Sequence, residues 1–112
     1  VSISTQFDQF HTENPQVYRI LVRLARQWVK GTGRYKLGIG ALYERARWEI
    51  AINTSDPDYK INNNFRAFYA RLMMYREVDL AGLFDLRTSE ADEWLENLID
   101  FERNGDGQPG LW

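Results

Sequence analysis

Apolar positions along this chain recur mostly at helical spacing. Val17, Leu21, Leu24 and Trp28 fall at i, i+4, i+7 and i+11, one face of a helix. Asn14 suits the N-cap of that helix, Pro15 its first position, and Gly31-Thr32-Gly33 its end. Arg19, Arg23, Arg26 and Lys30 repeat the spacing with an offset of two residues, about 200° of rotation, so they form a basic stripe opposite the apolar one. Such a stripe is an ordinary solvated face, although no acid interrupts it here. A second helix is predicted from Ile39 or Gly40 to Asn53. Ile39, Leu42, Tyr43, Ala46 and Ile50 make one apolar face, and Ala41, Trp48 and Ile52 a second, nearly opposite. A helix apolar on two sides is either central in its domain or shared with a partner, and the central position is expected.

Thr54-Ser55-Asp56-Pro57-Asp58 is turn chemistry, with Pro57 keeping Asp56 out of helical geometry. A third helix starts near Asn62, Asn63 and Asn64 and runs to about Arg76. Phe65, Phe68, Tyr69, Leu72 and Met73 are expected to face inward, and Asn63, Ala67, Ala70, Arg71 and Met74 outward. A short helical turn is predicted over 78–84. A last helix follows Thr88 or Ser89, with Glu90, Asp92 and Glu93 in its first turn and Ala91, Trp94, Leu95 and Leu98 buried. The expected fold is all-α: a compact bundle of four to five helices containing a helix-turn-helix-like pair. At most a minimal two-stranded β bridge joins 35–37 to 59–61. Residues 1–13 are expected to be an N-terminal arm pinned by Phe7 and Phe10, 14–103 a single helical domain, and 104–112 a flexible tail.

Composition narrows the picture. The 112 residues are 44 % hydrophobic and 14 % aromatic, enough for one domain with a real core. No apolar run approaches the roughly 18 residues that a membrane span needs, and the first ten residues lack the basic start and apolar core of a signal peptide. Without cysteine there are no disulfides, thiolate metal sites or cysteine nucleophiles. A cytoplasmic protein without membrane association is therefore expected. The net charge of −2 conceals a split: 14–76 holds twelve Lys and Arg against four acids, and 77–112 holds two arginines against ten acids. That pattern fits either a polyanion-binding body with an acidic tail or two halves that neutralise each other within one fold.

The candidate chemistry lies on the third predicted helix. Asparagine can pair with adenine and arginine with guanine in the major groove, alanines permit close approach, and free amides at a helix start attract phosphate. With the preceding helix and turn, this arrangement resembles a helix-turn-helix, although the linker is longer than usual. Base or groove contacts are expected from Asn62, Asn63, Asn64, Arg66 and Arg71. Phosphate contacts are expected from Arg19, Arg23, Arg26, Lys30, Arg34, Lys36 and Lys60. DNA is thus the expected partner, with binding that weakens steeply as salt rises. One alternative is a protein-interaction module, binding a host protein or forming a homodimer, supported by the two-faced second helix and by Trp48, Trp94 and Trp112. Another is a DNA mimic built on the acidic last helix.

No catalytic residue, metal site or cofactor is expected. His11 is the only histidine, Glu44 and Glu49 do not share a helical face, and no nucleotide-binding glycine motif or nucleophile elbow occurs. The stretch Glu102-Arg103-Asn104-Gly105-Asp106-Gly107 is similar to the start of a calcium loop, but its first ligand is Glu and no closing Glu follows.

Several blocks together resemble small uncharacterised proteins carried by phages and prophages. They are Phe7-x-x-Phe-His11-x-x-Asn14-Pro-x-Val-Tyr18, Leu37-Gly-Ile-Gly-Ala-Leu-Tyr-Glu-Arg-Ala-Arg-Trp-Glu49, Lys60-Ile-Asn-Asn-Asn-Phe and Tyr69-Ala-Arg-Leu. The resemblance spans roughly residues 7–87. It implies a mobile-element origin and a bacterial host cell, and it assigns no activity and no site residue.

Overall fold

A computed structural model describes residues 1–104. Of the expected tail, Asn104 is the last residue of a helix and 105–112 lie outside the described residues, as does the second half of the calcium-loop-like stretch. The fold is an all-helical bundle: α1 (Ile3–Glu13), α2 (Pro15–Thr32), α3 (Ile39–Asn53), α4 (Arg66–Arg76) and α5 (Glu90–Asn104). Short 3-10 turns at Asn63–Phe65 and Val78–Leu80 precede and follow α4.

The expected arm is a helix. The Ser2 hydroxyl caps α1 by accepting from the Thr5 amide at 3.2 Å. Ile3, Phe7, Phe10 and His11 then fall on one face, and Phe7 is fully buried. Its ring meets Phe65, Phe68, Tyr69, His11 and Trp94 at centroid distances of 4.8–5.7 Å. The Trp94 indole also donates to Asp8 at 2.8 Å, so α1 is tied to α5. Burial pushes the Asp8 carboxyl up, against the indole bond that favours its charged form. Asn14 alone separates α1 from α2. It spends its side chain on the Phe10 carbonyl (3.0 Å) and on the Tyr59 hydroxyl (3.0 Å) rather than on a capping bond to α2. Pro15 starts α2 as expected. Gly33, in the left-handed region at φ 71°, ends it.

No β bridge joins 35–37 to 59–61, and no strand occurs among the described residues. Both segments make other bonds. The Leu37 amide donates to the Leu83 carbonyl, and the Tyr35 hydroxyl to the Asp79 and Ala81 carbonyls, so residues 35–37 strap onto 79–83. The carbonyls of Ile61 and Asn62 accept from Arg47 and Tyr43 on α3.

The central helix is α4 rather than α3. Phe68, Tyr69, Ala70, Arg71, Leu72 and Met73 are all buried, which covers every face of α4 over its middle turns. It packs on α2, α3 and α5. Ser89 opens α5: its hydroxyl accepts from the Ala91 amide while Asp92 accepts from the Ser89 amide, a reciprocal cap.

Among the described residues, two buried side-chain polar atoms lack a hydrogen-bond partner: the Tyr69 hydroxyl and His11 Nδ1. Removing the first by Tyr69→Phe is therefore expected to leave stability unchanged or raise it by up to about 1 kcal/mol. Urea denaturation reads this, and a loss beyond about 1 kcal/mol would show that the hydroxyl is satisfied. His11 packs among Phe7, Tyr18 and Tyr69, and burial with the nearby Arg76 cation lowers its pKa below 6.5. The unfolded chain then binds a proton that the folded chain resists, so stability falls as pH drops below 6.5. The urea midpoint is expected to be lower at about pH 5.5 than at about pH 7.5, with the difference reduced in His11→Gln. Asp8 acts in the opposite sense, gaining stability as pH falls through its raised pKa.

Candidate interaction surface

The position of α4 decides the fate of the residues expected to read DNA. Arg71 does not face outward. Only 4 % exposed, it bonds Asp92 on α5 at 2.6 Å, the Ala67 carbonyl at 2.9 Å and the Arg87 carbonyl at 2.7 Å. That bond to Arg71, with a second from the Ser89 amide, holds the Asp92 carboxyl below the usual carboxylate range. Ala70 is buried and Ala67 half-buried, the small residues that let neighbours sit close. Nor do α3 and α4 form a helix-turn-helix with a free second helix, because α4 is enclosed and residues 54–65 intervene. Asn62 caps the 3-10 turn by accepting from the Asn64 amide, and the Asn63 side chain accepts from Arg47. Of the five expected base-reading residues, Asn64 and Arg66 keep exposed side chains with no bond to another described residue.

The expected phosphate contacts divide the same way. Arg23 pairs with Glu49, Arg26 with Glu77 and Asp79, and Lys36 with Asp85. Arg19, Lys30, Arg34 and Lys60 are exposed and make no ion pair among the described residues. Several of the pairs bridge the basic and acidic halves. Arg26, Lys36, Arg71 and Arg76 neutralise Glu77, Asp79, Asp85, Asp92 and Glu102. The charge split is thus partly resolved inside the fold. It leaves an unpaired acidic stripe of Glu93, Glu96 and Asp100 on α5 and a scatter of unpaired cations elsewhere.

The second apolar face of α3 remains uncovered. Ala41, Arg45, Trp48 and Ile52, spaced by four, three and four residues, form one stripe. Trp48 is 55 % exposed and Ile52 61 %. The Arg45 guanidinium lies 4.8 Å from the Trp48 ring centroid, a cation–π contact. Beside this stripe, the C-terminal half of α2 and the first turn of α3 enclose a groove of about 540 Å³. Leu24, Trp28, Leu37, Ala41 and Leu42 supply its apolar walls, Arg45 stands on its side, and no acid lines it. The Trp28 indole donates to the Lys36 carbonyl at 3.1 Å, which holds that wall in place. The acids on α3, Glu44 and Glu49, are both engaged, with Arg47 and Arg23.

The sequence displays Ala41, Trp48 and Ile52 as an apolar face but not Arg45, whose relevance was legible only as the residue four after Ala41 and three before Trp48. The groove itself needs Leu37, which reaches α2 through the 33–38 loop. Among the described residues, no group of three or more His, Asp or Glu is placed to hold a metal, and no helix is long and apolar enough to cross a membrane. No family model, curated protein or solved structure matches the chain.

Proposed function

We propose that this chain is a protein-interaction module whose contact surface is the α2–α3 face. The observation that carries the reading is the exposure of Trp48 and Ile52 on a helix whose other side is packed in the core. Single exposed apolar residues are ordinary. Here two large ones lie in register on one helix, with an arginine against the indole and an apolar groove alongside. Trp and Arg are the residues on which interface energy concentrates. The test is a selection of binders from a displayed random peptide library on the immobilised chain. Enriched peptides are expected to lose at least about tenfold in affinity for Trp48→Asp and to keep it for Arg66→Asp, which lies off this face. Peptides that bind Trp48→Asp unchanged would contradict the reading.

A second reading, nucleic-acid binding, has support in the exposed, unpaired Arg19, Lys30, Arg34, Lys60, Arg66 and Asn64. Its contacts are to phosphate, with Arg66 at the start of α4, rather than base contacts from the face of α4. Each phosphate neutralised contributes a slope of about −0.9 to the logarithmic salt dependence. Fluorescence anisotropy with a mixed duplex is then expected to show weak binding of shallow salt slope, reduced further in Arg19→Glu/Lys30→Glu. A steep slope with discrimination between duplex sequences would count against the α2–α3 reading and for a base-reading protein.

A further inference from the structure

We infer that the α2–α3 groove takes an apolar anchor side chain from an acidic, amphipathic helical segment of another protein. The inference rests on the interaction reading above and names the partner's chemistry. Its first support is charge. On α2, α3 and the loop between them every acid is committed: Glu44 to Arg47 and Glu49 to Arg23. The cations left without an ion pair there are Arg19, Lys30, Arg34 and Arg45. Arg45 lines the groove, and Arg34 follows the lining residue Thr32 by two positions and donates its amide to the Thr32 hydroxyl. A basic partner would meet Arg45 and Arg34 at this rim, with Glu44, the acid nearest the stripe, already facing Arg47, and like charges brought together disfavour docking. An acidic partner finds two guanidinium groups without an ion pair.

The second support is shape and polarity. The groove's volume of about 540 Å³ exceeds that of a single large side chain, and its walls are the aliphatic and indole surfaces of Leu24, Leu37, Leu42 and Trp28. Trp48 and Ile52 extend the apolar track along α3 for nearly two turns beyond Arg45. A helix laid into such a track places anchors at i, i+3 or i+4, and i+7. Its flanking carboxylates then reach Arg45 on one side and Arg34 on the other. Duplex DNA offers the negative charge but no apolar group to fill the groove, which favours a protein partner over a nucleic acid.

The experiment takes the full chain and a displayed library of random peptides about 16 residues long, enough for four helical turns. Enriched sequences are expected to combine Asp and Glu with Leu, Phe or Trp at helical spacing. Replacing the anchor by Asn in an enriched peptide should weaken binding at least about tenfold. Arg45→Glu should weaken it by a similar factor, and Ala41→Glu, which places an acid in the groove, should do the same. All three positions altered in the protein, Ala41, Arg45 and Trp48, are exposed, and a thermal melt of each variant checks that it remains folded. Enrichment of basic or uncharged peptides that still depend on Trp48 would overturn the acidic partner and leave the surface reading standing. Equal binding of polyglutamate, or of duplex DNA at equal charge, would overturn the anchor. Binding indifferent to Trp48→Asp, or no enrichment at all, would overturn both.

Discussion

Arg71→Ala is expected to destabilise the fold by about 3 kcal/mol, although a surface arginine would lose almost nothing on the same change. The guanidinium is 4 % exposed and is satisfied from three directions, by Asp92, the Ala67 carbonyl and the Arg87 carbonyl. Truncation leaves the Arg87 carbonyl without this donor, opens a cavity beside α4 and releases the Asp92 carboxylate that also braces the start of α5. Asp92 is half exposed, so water recovers part of its loss, which keeps the figure at the lower end for a broken buried pair. Urea denaturation measures the change. The Asp92 pair contributes stability above pH 3.8, and that contribution is lost as pH falls toward its depressed pKa, so the difference between wild type and Arg71→Ala is expected to shrink at low pH. A loss below about 1 kcal/mol, accompanied by lost DNA binding, would instead return Arg71 to the role of a surface reader.

Phe7→Ala is expected to cost about 3–5 kcal/mol, the usual range for emptying a fully buried aromatic site. The ring is the meeting point of α1, α4, α5 and the 3-10 turn at Asn63–Phe65, through contacts with Tyr69, Phe68, Trp94 and Phe65. Its removal frees α1 and weakens the Asp8–Trp94 link as well. The Trp94 indole N–H resonance, followed during denaturation, reports both events. If residues 1–13 were an arm laid on a finished domain, the same substitution would shift the midpoint little and leave the main transition intact.

What the sequence reveals and what it hides follow from where each interaction is made. Helix α2 is readable almost from end to end because its first-position proline, apolar stripe, basic stripe and terminal glycine are all local, while the Asn14 side chain is drawn away to Phe10 and Tyr59. Helix α5 is readable for the same reason, with its reciprocal Ser89–Asp92 cap and buried Ala91, Trp94 and Leu98. Helix α1 is hidden because Ser4, Thr5, Gln6, Asp8 and Gln9 give it a polar look. The helix is held by Phe7 reaching residues 58 and more positions away. On α4 the period and the inward face of Phe65, Phe68, Tyr69, Leu72 and Met73 are right, and the face expected outward is misjudged. Ala67, Ala70 and Arg71 resemble a groove-facing surface until Asp92, 21 residues away, supplies the countercharge. The charge split leaves two readings open in the sequence, and the fold realises the neutralising one in part, since Arg26, Lys36 and Arg76 find their acids across the fold. The two-faced character of α3 is legible from Ala41, Trp48 and Ile52. Whether another helix covers the second face depends on tertiary packing, and α4 takes the central place that α3 was expected to hold.

The most direct measurement is amide chemical-shift mapping on the isotope-labelled chain, titrated first with an enriched acidic peptide and then with a mixed-sequence duplex. The account predicts that the peptide perturbs the C-terminal half of α2, the 33–38 loop and the Ala41–Ile52 stripe, and leaves α4 and α5 unchanged. Perturbations centred on residues 62–76, above all by the duplex and in fast response to its sequence, would contradict the assignment of the working surface to α2 and α3.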